Sequence, residues 1–198
     1  MYVNATFIAS GFLMNLLSII VSVYLIYQVS NKSNSENSRM GYLAAFAFQM
    51  GFLVGPAMHY LVHMESELVI MAVLYTSIAF VSFSCISLFS KRRSYLFLGS
   101  IIVTLVQGLI LYRVFGWLLG YSYGADGLMY LMFGLLVACL YIIYDTQMII
   151  ERAERGDKDV VGHALLLFID LFDLFIKILR ILIKLNEDKK KDERNKKK

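Results

Sequence analysis

The chain has 198 residues, of which 59% are hydrophobic and only one is proline. A soluble domain of this size has too little interior to bury so much apolar surface, so the composition excludes that class. The formal net charge is +4, and the basic residues are concentrated at 91–93 and after Asn186. We therefore expect an integral membrane protein that sits in a lipid bilayer and has no nucleic-acid partner.

The apolar residues form long blocks without charges. Crossing the hydrocarbon core takes roughly 20 helical residues, and about 17 at the least. Helix is also the form that satisfies the backbone polar groups within each segment. The sequence therefore predicts an all-α polytopic membrane helix bundle with five spanning helices, at Phe7–Tyr27, Met40–Val62, Leu68–Ser90, Ser94–Tyr112 and Leu128–Tyr144.

A sixth apolar segment, Val160–Leu185, carries charges. We predict that it forms a C-terminal helix that either spans the membrane or re-enters it. Residues 1–185 would then form a single transmembrane bundle, and residues 186–198 a lysine-rich cytosolic tail.

The loops predict the orientation of the bundle. Basic residues lie in loops 28–39, 91–93 and 145–159, whereas the opposite loops are poor in them. The positive-inside rule therefore places these three loops in the cytosol and the N-terminus on the far side. A full crossing of the sixth segment would carry the basic tail to the far side, so we favour a re-entrant course that returns it to the cytosol.

Acidic residues at membrane depth are the candidate functional groups, because burying one there costs about 3 kcal/mol. Asp145 ends the fifth run, and the sixth segment carries a charged stripe on one helical face. Its spacing of three, four, three and four residues brings together Asp170, Asp173, Lys177, Arg180 and Lys184. An interfacial amphipathic helix is the alternative interpretation of this stripe.

Asp170 differs from the rest of the stripe because no basic residue follows it at i+4, whereas Asp173 has Lys177. The partner that would satisfy Asp170 at the lowest free-energy cost is a group on another helix, and Asp145 is the candidate. Two carboxyls that share a site do not both ionise readily, so the pair would titrate as a unit. It would hold a proton or a calcium ion, since calcium prefers oxygen ligands.

Several motifs strongly resemble the transmembrane Bax inhibitor motif family, over essentially the whole chain. They are DTQMIIE at 145–151, ERGD at 154–157, LFIDLF at 167–172, GYLAAFAF at 41–48, Gly55-Pro56, RRSYLFLG at 92–99 and the lysine-rich end. The resemblance is greatest to the founding branch of the family, which resides in the endoplasmic reticulum.

The resemblance implies a pH-sensitive calcium leak that lowers calcium in the endoplasmic reticulum and suppresses apoptosis, with no enzymatic activity. Asp145 and Asp170 correspond to the family's proton and calcium sensor, and Arg39 best fits the arginine that latches it. Asp173, Lys177 and Arg180 remain as an auxiliary polar stripe. The expected localisation is the endoplasmic reticulum membrane, multi-pass, with a cytosolic C-terminus.

The sequence departs from the family pattern at two places. The family normally has one further helix before the segment that begins at Phe7, so the chain is expected to lack the first helix. Leu166 stands where close relatives have another acid. No cofactor is expected, and calcium would be the transported or bound ion.

Other functions remain open from the sequence. One is a membrane adaptor that modulates Bcl-2-type death regulators without conducting ions, and both Bcl-2 family proteins and a second copy of the chain are candidate partners. An intramembrane aspartyl protease also uses two membrane aspartates, but Asp170 lacks the Gly-x-Gly-Asp setting. A zinc site at His59 and His63 would need His163, which the predicted topology places on the opposite side.

Overall fold

The computed structural model describes residues 2–90, 95–119 and 127–196, and these residues form helices without any strand. The helices are α1 (Tyr2–Ser30), α2 (Glu36–Phe89), α3 (Leu98–Leu118), α4 (Leu128–Glu154) and α5 (Val160–Lys196). Glu65 breaks α2 with the non-helical angles φ −152° and ψ 61°, so α2 consists of two helices. The all-α prediction is confirmed, and the basic loop 91–93 lies outside the described residues.

Three of the described helices are long and apolar enough to cross a membrane, namely Glu65–Phe89, Leu98–Leu118 and Leu128–Glu154. Their outer surfaces carry large apolar side chains that a soluble protein would bury. Phe89 is 88% exposed and Trp117 is 81% exposed. Such surfaces suit lipid rather than water. The count of five spanning helices stays a prediction.

The described residues divide into two compact units. The first comprises residues 1–57 with 159–165, and the second comprises residues 58–158 with 166–198. In the second unit, α3 packs against α4. A core joins Ala138 and Ile142 of α4 to Leu174 and Ile178 of α5.

Helices α4 and α5 run antiparallel. Later positions of α5 lie beside earlier positions of α4: Lys177 packs over Gly134, and Arg180 lines a cavity together with Leu131. Because α4 contributes a continuous buried face, the polar residues near its C-terminal end lie inside the unit rather than at its surface.

Helix α5 does not end at Leu185. It continues without a break to Lys196, and Lys190 forms an ion pair with Glu65, at the start of the Glu65–Phe89 helix. Among the described residues, α5 is not one of the helices that are long and apolar enough to cross a membrane. Whether it spans the membrane or re-enters it therefore stays a prediction.

Candidate proton and cation site

Asp145 lies on the buried face of α4. Its side chain is 8% exposed, and its neighbours Ile142, Ile143 and Gln147 are buried as well. The apolar stretch that precedes Asp145 forms a long helix, which carries the carboxyl into the interior of the second unit.

Two hydrogen bonds fix this part of α4 against the end of α2. The Ser87 hydroxyl donates to the carbonyl oxygen of Ile143 at 2.9 Å, and the Gln147 amide donates to the carbonyl oxygen of Ser87 at 2.7 Å. The Ser87 side chain is fully buried. Ile143 lies two residues before Asp145 and Gln147 lies two residues after it. Because these two bonds fix the helix on both sides of Asp145, they position its carboxyl group.

Asp170 lies on α5 and is 7% exposed. Its Oδ2 atom has no hydrogen-bond partner among the residues that the structure describes. The charges of Asp145, Asp173 and Lys177 act on this carboxyl. The structure thus brings the two aspartates within electrostatic reach of each other, while their role as a sensor stays a prediction.

The remaining charges of the stripe are engaged differently. Lys177 forms an ion pair with Asp173, one turn away on the same helix. The Nζ atom of Lys184 lies 3.4 Å from Oδ1 of Asp188, so these two residues also form an ion pair. Arg180 is exposed. Asp170 is therefore the acid of the stripe whose charge is not compensated by a pair on its own helix.

A buried pair of carboxyls is chemically suited to bind a proton or a cation. Burial penalises a carboxylate, and two neighbouring carboxylates also repel each other. Thr146 adds a buried hydroxyl beside Asp145, without a hydrogen-bond partner among the described residues. Within the described chain no group of three or more His, Cys, Asp or Glu residues could hold a metal, and the His63 side chain lies outside the described residues.

Arg39 belongs to the first unit, where it holds three segments together. Its Nε donates to the carbonyl oxygen of Val29 at 2.5 Å, and its Nη2 donates to both carboxylate oxygens of Asp159, at 2.6 and 2.8 Å. The Arg39 side chain is 8% exposed. Arg39 therefore links the end of α1, the start of α2 and the residue that precedes α5.

Asp159 caps α5, because its Oδ1 also accepts a hydrogen bond from the backbone N–H of Gly162 at 2.9 Å. Burial by itself raises the pKa of this carboxyl, but the Gly162 N–H and the Arg39 guanidinium outweigh that effect and hold the pKa below its usual value. The pair therefore stays charged at neutral pH. Pairing of Arg39 with Asp145 or Asp170 stays a prediction.

Sequence reasoning missed Asp159, Ser87 and Gln147. An acid directly before an apolar helix is a capping signal, which marks Asp159 as a candidate. Nothing in the sequence marks Ser87, a hydroxyl within an apolar run. Gln147 lies inside the Asp-Thr-Gln motif, but its partner is 60 residues away along the chain.

Comparison with known proteins yields one consistent family. The family model for inhibitors of apoptosis-promoting Bax1 matches residues 1–187. The chain is similar to Bax inhibitor 1 of Mus musculus, with 36% identity over 193 residues, covering 98% of this chain and 80% of that protein. For Bax inhibitor 1 of Homo sapiens the identity is 35% over 188 residues, covering 95% and 78%. For that of Oryza sativa it is 38% over 162 residues, covering 82% and 65%.

Proposed function

This chain belongs to the family of inhibitors of apoptosis-promoting Bax1, and on that premise we propose that it is a pH-sensitive calcium leak of the endoplasmic reticulum membrane. In this proposal the leak lowers stored calcium and so suppresses apoptosis. The observation that supports it is the pair of buried aspartates, Asp145 on α4 and Asp170 on α5.

The pair of buried aspartates would make the proposed leak sensitive to pH. Two buried carboxylates within electrostatic reach destabilise each other, and a proton taken up by either one relieves the repulsion. Mild acidification of the cytosol would neutralise the pair and favour opening. A calcium ion relieves the same repulsion by binding to the same oxygens, so protons and calcium should compete.

The small number of oxygen ligands at the aspartate pair supports conduction of calcium rather than tight binding of calcium. Calcium takes six to eight oxygen ligands in tight protein sites. Asp145 and Asp170 offer at most four carboxylate oxygens, and the described residues include no third acid or histidine that completes a metal cluster with them. Weak binding is what conduction needs, because the ion must leave the site as readily as it enters.

The test is calcium efflux from liposomes that contain only the purified chain, measured between about pH 6 and 8, well above the pKa near 4 of an isolated aspartate. Asp170→Asn keeps the shape of the side chain and removes its titration, so the efflux should lose most of its pH dependence. Asp173→Asn is the matched control, since it removes a neighbouring acid that already has Lys177 as partner. Equal pH dependence in Asp170→Asn and the parent would contradict the proposal.

An adaptor that modulates Bcl-2-type death regulators is the second candidate. It is favoured by the name of the matching family, which describes inhibition of apoptosis-promoting Bax1. Liposomes that lack any Bcl-2-type protein separate the two functions, because an adaptor gives no calcium flux there. The relatives are named Bax inhibitor 1, and we propose no enzymatic activity.

A further inference from the structure

A cavity of about 480 Å³ lies between α3, α4 and α5, within the volume range typical of ligand sites. Arg113 of α3 and Arg180 of α5 both line it, and among the residues that the structure describes no Asp or Glu does. The guanidinium of Arg113 lies over the ring of Tyr130, with its carbon atom 5.1 Å from the ring centroid. The cavity therefore presents two permanent positive charges from two different helices.

These two charges lack an anionic partner in the described part of the chain. The ion pairs found there involve neither Arg113 nor Arg180. Lys177, a third cation in the lining, is paired with Asp173. Glu187 lines a neighbouring cavity with Arg180 but forms no ion pair with it. Like charges that converge beside membrane helices are costly, so an anionic ligand would stabilise this arrangement.

A second cavity adjoins the first. It has a volume of about 330 Å³, is almost wholly apolar in lining, and shares Leu109, Tyr130 and Val137 with the charged cavity. Gly108 faces open space in this lining, because a Cβ atom built there would meet no atom within 4 Å. A free phosphate would leave this apolar space unfilled, whereas an acyl chain would fill it.

We propose that the two adjoining cavities bind one anionic phospholipid. Its phosphate lies between Arg113 and Arg180, and an acyl chain lies against Gly108. Guanidinium groups suit phosphate because their planar N–H groups form paired, charge-assisted hydrogen bonds with its oxygens. The site is separate from the aspartate pair and does not depend on calcium conduction.

Trp117 provides the measurement, because it is the only tryptophan of the chain. It lies one helical turn after Arg113 and is 81% exposed, so lipid beside Arg113 can contact it. The full chain is reconstituted in vesicles of equal parts phosphatidylglycerol and phosphatidylcholine, with bromine on the acyl chains of one lipid or the other. Quenching of Trp117 fluorescence then reports which lipid is enriched there.

We expect brominated phosphatidylglycerol to quench more than brominated phosphatidylcholine, with a binding preference of roughly tenfold or more from two basic residues. The double substitution Arg113→Gln and Arg180→Gln should bring the two lipids to equal quenching. Lys189→Gln with Lys191→Gln is the charge-matched control. These two lysines are exposed on the tail and lie outside the cavity lining, so the preference should persist.

A further variant and a competitor separate the lipid from free phosphate. Gly108→Leu fills the apolar cavity and leaves both arginines in place, and it should reduce the preference. Excess inorganic phosphate should leave the preference of the parent chain unchanged. Equal quenching in the parent, or a preference that only the tail substitutions abolish, would overturn the site. A preference insensitive to Gly108→Leu but abolished by inorganic phosphate would overturn the assignment to a lipid.

Discussion

The ion pair between Arg39 and Asp159 should stabilise the first unit, and Asp159→Asn tests it. The two side chains are 8% and 13% exposed, so water screens the pair poorly. Asparagine keeps the size of the side chain and an oxygen for the N–H of Gly162, but it removes the charge. Arg39 then keeps its hydrogen bond to the carbonyl oxygen of Val29 but loses its negatively charged partner.

The expected loss follows from this geometry. Removing one partner of a fully buried ion pair destabilises a protein by about 3–5 kcal/mol, because the other charge stays buried. The residual hydrogen bond and the slight exposure reduce that cost, so we expect about 2–4 kcal/mol for Asp159→Asn. Asp173→Asn also removes one acid of an ion pair, but its side chains are 26% and 45% exposed. It should cost less than about 1 kcal/mol.

Denaturant unfolding of the purified chain in detergent micelles, followed by circular dichroism, measures both losses. A double-mutant cycle with Arg39→Gln isolates the interaction, for which we expect a coupling of about 1–3 kcal/mol. If the two substitutions are additive within about 0.5 kcal/mol, the pair does not stabilise the fold and the reasoning is wrong.

The pH dependence separates this pair from the aspartate pair. Because the pKa of Asp159 is lowered in the folded state, its stabilisation is complete above the unfolded pKa of about 3.9. It is lost only as the pH falls through the lower folded value. Between about pH 6 and 8 the coupling with Arg39 should stay constant. Asp159→Asn should therefore leave the pH response of the leak unchanged, whereas a flattened response would place Asp159 in the sensor.

Three further outcomes are expected. Ser87→Ala should lower the free energy of unfolding by about 1 kcal/mol, because it removes a buried hydrogen bond. Ser90→Ala is the control, since the hydrogen bond of Ser90 is exposed and its loss should change the free energy of unfolding very little. Equal losses in denaturant unfolding would contradict the positioning role of Ser87. Gly99→Ala should destabilise by about 1–3 kcal/mol, because its Cβ would lie 2.9 Å from the ring of Tyr144, and Gly41→Ala, with open space around it, is the neutral control. For a tag fused after the C-terminus in sealed microsomes, charge bias predicts removal by external protease; survival until detergent is added would show the full crossing of α5.

The sequence alone determined which segments are helical and which acids lie within or beside apolar runs. Long uncharged runs leave helix as the form that satisfies the backbone, whatever the neighbours are. The same local argument identified Asp145 and Asp170, because a charge within an apolar run is visible without any tertiary information. The i,i+4 pair of Asp173 with Lys177 followed from helical periodicity and is present in the structure.

Only the tertiary structure decided which distant groups meet. Arg39 and Asp159 are 120 residues apart, and Ser87 and Gln147 are 60 residues apart. Apolar periodicity does not encode such pairings, because they depend on how the helices are rotated and shifted against one another. The same holds for the cavities beside Arg113, which exist because three helices leave space between them. The structure also shows that α5 continues unbroken to Lys196, whereas the returning tail that charge bias predicts stays a prediction.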